Sequence, residues 1–280
     1  MRKLFYALVL MAILLPQSCA AAEGEPAISA LSAVVMDGRG ELLYARDADE
    51  PHLIASTTKL MTAFVTILRC DPDEIVQIES ADCAVEGSSM YLIPGECYTV
   101  RELLTGLLLA SGNDAALALA RHVAGDAEAF AAMMNRCAAA LGMTGSHFVN
   151  PHGLNAEEHY ATARDLAALM QACMECPLFR ELSALPSATV KEQNYQNHNK
   201  LLTLCPGCVS GKTGYTQLAG RCLVSCAERD GRRFVCVTLN DPNDWEDHCK
   251  LYDWAFAQSQ FADSITYTYK GYTWKIVYKN

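Results

Sequence analysis

The feature that most constrains this chain is a change of hydrophobic period near residue 209. Upstream, "ASTTKLMTAFVTILRC", "YTVRELLTGLLLASGNDAALALARHVAG", "AEAFAAMMNRCAAALGM" and "TARDLAALMQACME" space their apolar residues three and four apart, as amphipathic helices do. The second of these breaks at Ser111–Gly112, and Thr162 stands where an N-cap belongs in the last. Downstream, "VSGKTGYT", "GRCLVSCAE" and "RRFVCVTLND" read as strands, and "RDG" between the last two is a hairpin signal. Near the other end, "SAVVMDGRGELLYARD" reads as two short strands around a glycine turn. Strands at both ends with helices between them imply an α/β fold: one antiparallel sheet built from both chain ends, with a helical region inserted. A helix, "WEDHCKLYDWAFAQS", and an alternating tail, "SITYTYKGYTWKIVYK", should follow, the tail as a closing hairpin over residues 263–280. No repeat, low-complexity run or long linker divides residues 23–262, which are expected to form one domain.

The start of the chain is expected to be absent from the mature protein. Arg2 and Lys3 precede an apolar run from Leu4 to Leu15 and then the small residues "SCAAA", the layout of a secretory signal peptide over residues 1–22. Its apolar core is short for a membrane span, and no later segment is long and apolar enough to be one. Cleavage near Ala20–Ala22 is expected, because Pro16, Gln17 and Ser18 make a poor lipidation site for Cys19. Losing the segment removes two positive charges from a chain already at −10, and so acidic a surface argues against nucleic acid and an anionic membrane as partners.

The chain has 13 cysteines, and all but Cys19 survive cleavage, leaving an even number. In an exported protein, disulfides are the first reading. "CMEC" (Cys173, Cys176) and "CPGC" (Cys205, Cys208) also have the form of a four-cysteine zinc site, although the gap between them is long for one. Free buried thiols are the third reading, and the sequence leaves all three open. His52, His122, His147, His152, His159, His198 and His248 show no metal-ligand spacing, and the acidic "DPNDWEDHC" lacks the regular spacing of a calcium loop. Apart from that structural zinc alternative, neither a metal nor an organic cofactor is expected.

In "IASTTKLMTA", Ser56 and Lys59 stand three apart and so share one helical face, with the lysine among Leu60, Met61, Ala63 and Phe64. Such a lysine either snorkels to water or is buried for a chemical purpose. S-x-x-K alone says little, since it arises by chance about once in a chain of this length. "ASGND" places Ser111 and Asn113 at the helix break, where side chains can reach a cleft. "SGKTGYT" places Lys212, Thr213 and Gly214 at what should be a sheet edge beside it.

In this order the three motifs resemble those of the penicillin-recognising serine enzymes. "GSSMYLIPGECYTVRELLTGLLLASGNDAA", "FVNPHGL…HYATARDLAAL", "NHNKLL" and "GKTGYT…AGRCLVSCAERDG" extend the resemblance to the low-molecular-mass D-alanyl-D-alanine carboxypeptidases over roughly residues 29–258. The resemblance implies a β-lactamase/transpeptidase-like fold. It also implies a serine D-Ala-D-Ala carboxypeptidase that trims peptidoglycan stem pentapeptides and is acylated by β-lactams.

A serine hydroxyl needs a base, and a lysine is one only when neutral. Burial lowers its pKa, and Lys212 as a nearby cation lowers it further. On this reading Ser56 is the nucleophile at a helix start and Lys59 its base. Ser111 relays a proton to the leaving amine, and Asn113 hydrogen-bonds the substrate amide. Lys212 and Thr213 grip the terminal carboxylate, and Gly214 admits the substrate backbone. The oxyanion lies between the backbone N–H groups of Ser56 and, by resemblance, Tyr215. His152 and His159 are expected to have hydrogen-bonding roles.

Two alternatives stand beside this reading. A β-lactamase needs a glutamate to activate the deacylating water; the candidates, Glu157 and Glu158, lie inside the carboxypeptidase-like block, and the second motif is Ser-Gly-Asn. A non-catalytic wall-binding protein would keep the groove without turnover. Many relatives continue into a β-rich domain and an amphipathic anchoring helix, whereas this sequence ends after one hairpin. No stable membrane attachment is therefore expected, but a protein exported to the extracytoplasmic space or the wall.

Overall fold

The computed structural model describes residues 24–260, 264–269 and 272–277; the expected signal segment, residues 1–22, lies outside them. The two chain ends meet in one sheet. Strands β1 (Ser32–Asp37) and β2 (Leu42–Arg46) form the expected hairpin, and β7 (Cys208–Thr216), β8 (Gly220–Arg229) and β9 (Arg232–Leu239) form the later meander. The order is β2-β1-β9-β8-β7, with every neighbour antiparallel. The β1–β9 pairing, Ser32 opposite Leu239 through Asp37 opposite Phe234, joins the two halves. It leaves β7, which carries Lys212–Gly214, at the edge, as expected. The turn between β8 and β9 has Asp230 and Gly231 at φ of 51° and 73°, the pair of positive values that a two-residue hairpin of matching twist requires.

Both faces of the sheet are covered, and the alternation of side chains shows it. Val34, Val224 and Val237 point into the larger core beneath the helical region, while Ala33, Val35, Leu223 and Cys236 point into a smaller one. The helical region comprises α1 (Lys59–Ile67), α2 (Val100–Leu109), α3 (Asn113–Ala124), α4 (Ala127–Ala140), α5 (Ala163–Met174) and α6 (Pro177–Ser183). Capping fixes several starts: Thr99 and Glu102 form a reciprocal capping box on α2, and Asp126 and Thr162 cap α4 and α5. The smaller core is closed by α8 (Asp244–Gln260), whose Leu251, Tyr252, Ala255 and Phe256 form one apolar stripe against Tyr44 and Phe234.

The sequence reading omitted α6, β3 (Ile75–Gln77) with β4 (Cys97–Thr99), β5 (Ser187–Val190) with β6 (Gln193–Gln196), and the single turn α7 (Leu201–Leu204). All are short. Pro177 at the first turn of α6 is the signal that was there to be read. The expected closing hairpin is present as β10 (Ser264–Tyr269) paired with β11 (Tyr272–Val277). Among the described residues no helix is long and apolar enough to cross a membrane.

The twelve described cysteines are free thiols, and Cys173, Cys176, Cys205 and Cys208 do not converge into a four-ligand site. Burial raises the pKa of most of them; Cys208 is pushed up to about 11 and Cys226 to about 12, which keeps these thiols protonated.

Candidate active site

The chain enters α1 through a 3₁₀ turn, Ala55–Thr58, so Ser56 precedes the α-helix proper and Lys59 is its first residue. This corrects the simple picture of Ser56 at the start of an α-helix: its side chain caps nothing. Ala55 sits at φ 47°, a left-handed conformation unfavourable for a residue with a Cβ, and it turns Ser56 outward. Thr57 and Thr58 hold the turn by donating from their hydroxyls to the Ile54 and Ala55 carbonyls, at 2.7 and 2.8 Å. The backbone N–H of Val149 donates to Nδ1 of His159, so Nε2 carries the ring proton and meets the Thr58 hydroxyl at 2.8 Å. Burial holds His159 at a pKa of about 4, so it supports the turn as a neutral ring.

Lys59 is wholly buried. Its Nζ lies 2.9 Å from Ser56 Oγ, 2.7 Å from Asn113 Oδ1 and 2.6 Å from the His152 carbonyl oxygen. Burial is the main reason its pKa falls well below the ordinary lysine value; the charge of Lys212 lowers it further, and Asp114 opposes both. The second lysine, also buried, donates to Ser111 Oγ at 3.0 Å and to the Thr213 carbonyl at 2.9 Å, and burial brings it to about 7. Lys212 is therefore a cation only part of the time at neutral pH.

The break between α2 and α3 aims the second motif. Ser111 has φ 60°, and a Cβ on Gly112 would meet Asp114 Oδ1 at 2.8 Å. Asp114, buried in the first turn of α3, accepts from the backbone N–H groups of Met90 and Leu92 and from the Ser89 hydroxyl, which pins the 88–92 loop beside the site. Asn113 is nearly as buried. Its Nδ2 donates to the Glu86 carbonyl at 2.6 Å, which fixes Oδ1 toward Lys59. Both ends of this amide are thus engaged within the protein.

The third motif closes the site by backbone contact. A Cβ on Gly214 would lie 2.8 Å from the Ile54 carbonyl and 3.1 Å from the Ser56 nitrogen, so only glycine lets β7 lie against the Ser56 turn. Gly153 does the same from the other side, where a Cβ would overlap the Ala55 carbonyl.

One cleft brings together Ser56, Ser111, Thr213, Gly214 and Tyr215, all expected from sequence. Lys59 and Lys212 lie behind its wall and reach it through Ser56 and Ser111, and Asn113 lies behind Lys59. Ser88, His198, Arg221, Asp244 and Trp245 complete the lining, and sequence reasoning gave them no role. Arg221 donates from Nε and Nη2 to one oxygen of buried Asp244, at 3.0 and 2.8 Å, and lies over the Trp245 ring. His198 and Arg221 stand inside the quoted blocks "NHNKLL" and "AGRCLVSCAERDG"; Trp245 stands in the acidic stretch "DPNDWEDHC". Glu157 and Glu158 are exposed and do not line the cleft.

Known proteins resemble this chain over most of its length. The profile of the D-alanyl-D-alanine carboxypeptidase family, peptidase family S11, matches residues 19–243. DacB2 of Mycobacterium tuberculosis, a D-alanyl-D-alanine carboxypeptidase, is 38% identical over 230 residues, 78% of this chain and 79% of its own. DacF of Bacillus subtilis is 32% identical over 84% of this chain but 64% of its own length. In three dimensions, the D-alanyl-D-alanine carboxypeptidase structure from M. tuberculosis superposes with a TM-score of 0.81 at 37% identity, covering 85% of this chain and 95% of that one. The Streptomyces K15 DD-transpeptidase superposes with a TM-score of 0.80 at 31% identity, covering 84% of this chain and all of its own. The chain belongs to the D-alanyl-D-alanine carboxypeptidase family of serine hydrolases.

Proposed function

We propose that this protein removes the terminal D-alanine from peptidoglycan stem pentapeptides through an acyl-enzyme on Ser56, and that β-lactams acylate the same serine. The observation that carries the reading is the valence of Lys59. A neutral amine has two N–H groups and one lone pair. Asn113 Oδ1 and the His152 carbonyl can only accept, so they take both N–H groups, and the lone pair is left for the hydroxyl of Ser56 at 2.9 Å. Asn113 accordingly acts by orienting Lys59.

Ser56 Oγ attacks the carbonyl carbon of the penultimate D-alanine as its proton passes to Lys59 Nζ. The oxyanion is held by the N–H groups of Ser56 and Tyr215. The C–N bond then breaks, and the departing nitrogen takes, by way of Ser111, the proton that Lys59 gained from Ser56, which leaves Lys59 neutral again; Lys212 donates to Ser111 and orients this relay. Water enters where D-alanine left, gives its proton to the same base, and releases the shortened peptide. Thr213 and the cleft cation Arg221 supply a hydrogen bond and charge for the substrate's terminal carboxylate, and Lys212 adds its charge from behind the wall. Glu157 and Glu158, the candidates for activating a deacylating water, are exposed and off the cleft, which favours slow release of a penicilloyl ester over β-lactamase turnover. Export through the segment 1–22 belongs to the same reading, since the polymer lies outside the cytoplasmic membrane.

The test is D-alanine release from a diacyl-lysyl-D-alanyl-D-alanine peptide by the purified protein, with and without prior penicillin. Release that penicillin blocks, and that Ser56→Ala abolishes while wall binding persists, is the expected result. Binding without release by folded protein would replace this reading with a wall-binding one. Peptide-bond formation in preference to release, on adding an amine acceptor, would make it a transpeptidase.

A further inference from the structure

The two helices that present Lys59 and Asn113 at their first residues bring a second set of chemical groups together at their far ends. Cys70 lies just beyond α1, His122 in the last turn of α3, and Glu74 in the turn that leads into β3. One donor atom from each, a thiol sulfur, an imidazole nitrogen and a carboxylate oxygen, lie within 4.8 Å of one another. His122 Nε2 is 3.0 Å from Glu74 Oε2. Among the described residues no other three metal-ligating groups come so close.

We propose that Cys70, Glu74 and His122 bind one zinc ion, with water as the fourth ligand, and so tie the far ends of the two site-bearing helices together. The donor set selects the metal. Calcium and magnesium take oxygen ligands, whereas sulfur, nitrogen and oxygen together are the mixture zinc accepts. With Zn–S near 2.3 Å and Zn–N or Zn–O near 2.0–2.1 Å, tetrahedral ligand atoms stand roughly 3.3–3.6 Å apart. Closing the cluster around an ion therefore asks for movements on the order of 1 Å, within the reach of an exposed glutamate and a half-buried cysteine.

The surroundings leave the required atoms available. The Asp71 backbone N–H donates to Glu74 Oε1 at 2.7 Å, which orients the carboxylate and leaves Oε2 toward His122. The neighbouring cation, Arg121, is turned to Glu79 and Asp82. Forming the Zn–S bond displaces the Cys70 thiol proton to solvent. His122 then binds through Nε2 as a neutral ring protonated on Nδ1.

The experiment is zinc titration of the reduced, purified full chain by calorimetry, paired with thermal melts and cobalt(II) spectra. The expected result is one tight equivalent of zinc, proton release that changes with buffer ionisation enthalpy, a raised Tm, and a thiolate-to-cobalt charge-transfer band. Cys70→Ser removes the band, and both it and His122→Ala remove one equivalent and the rise in Tm. Glu74→Gln, at an exposed position that keeps an acceptor for Asp71, serves should either of those fail to fold. It weakens binding by at least the ~10-fold that loss of even an outer partner produces. Calcium and magnesium leave the melts unchanged. Failure of the wild type to bind zinc, or an unchanged stoichiometry and affinity in the variants, overturns the proposal.

Discussion

Lys59 and His248 are both completely buried, and in each burial is the main force that drives the pKa down, yet one stands behind a cleft and the other is sealed in a core. His248 lies between β8, β9 and α8. Its Nδ1 meets the Ser225 hydroxyl at 2.8 Å and its Nε2 the Thr238 hydroxyl at 3.1 Å, while the Tyr252 hydroxyl closes on Ser225 at 2.7 Å. Every group there has a partner and none reaches solvent. Around Lys59 the hydrogen bonds are as complete, but one partner, Ser56, opens onto the cleft, and the backbone at Ala55 and Ser111 is held at φ of 47° and 60°. The difference teaches that a buried titratable group is not by itself a mark of chemistry. An outlet through a nucleophile, together with backbone strain that a packed frame sustains, separates the reactive site from the structural one.

The comparison breaks most clearly by exchanging the two groups' nitrogen atoms for inert ones. Lys59→Met keeps the chain length and removes the base, so acylation by a fluorescent penicillin should slow about 10²–10⁴-fold, the range for general-base catalysis. His248→Gln should leave the acylation rate of folded protein within a few-fold of wild type. Equal losses would mean that the two burials are not different in kind. Gly214→Ala comes next. Its new Cβ would press the Ile54 carbonyl and the Ser56 nitrogen, and a displacement of the nucleophile by about 1 Å is worth roughly 100-fold in rate. An unimpaired variant would show that β7 need not touch the Ser56 turn.

A third test uses pH. Lys59 must be neutral to act, so kcat/KM falls on the acid side as Lys59 takes up a proton at its depressed pKa. Lys212, at about 7, must be charged to assist, so kcat/KM also falls as pH rises through that value. Each limb should change about tenfold per pH unit. Lys212→Arg, with a guanidinium that stays charged, should lower the rate but remove the alkaline limb. An alkaline limb that persists would assign it to another group.

Much of this site was legible because its chemistry rests on residue types at short spacings: Ser56 with Lys59, Ser111 with Asn113, and Lys212 through Gly214. The sheet was legible because its alternation is strong on both sides of "RDG". What could not be read was direction and convergence. Asn113 stands in its motif as expected, but only the Glu86 carbonyl, from a distant loop, fixes which end of its amide faces Lys59. Arg221, Asp244 and Trp245 meet in the cleft through sheet register and a helix start. His122 and Cys70 are likewise too far apart along the chain for any ligand spacing to register. The missed strand pairs β3–β4 and β5–β6 are three and four residues long, too short for a period to declare itself.

The sealed histidine should declare itself in stability. His248 falls from an ordinary 6.5 to about 3 on folding, and His152 and His159 to about 4. In that window the unfolded chain binds more protons, so stability rises with pH and is lost as pH falls below 6.5, by up to about 1.4 kcal/mol per pH unit for each histidine. The loss continues to about 4 for His152 and His159 and to about 3 for His248. His248→Gln, measured by urea unfolding from pH 6.5 to 4, should lower the acid slope by one histidine's share. A slope unchanged from wild type would show that His248 is not buried neutral.

The smallest effect belongs to the cleft's arginine, Arg221, which differs from both lysines in being partly exposed, with 39% of its side chain accessible. If Arg221 offers charge to the substrate's terminal carboxylate, Arg221→Ala should raise KM several-fold with kcat little changed, the pattern of lost uniform binding. That variant alone is ambiguous, because it also leaves the buried Asp244 carboxylate without its guanidinium, and burial already raises the pKa of that acid. Asp244→Asn separates the two meanings. It keeps the cation in the cleft and removes its competing anion, so KM should hold or fall if Arg221 recognises substrate. If the pair serves only to seat the start of α8, both variants should raise KM alike and lower Tm alike. Opposite signs in KM would place Arg221 with the site's working groups despite its exposure, and parallel ones would place it with His248.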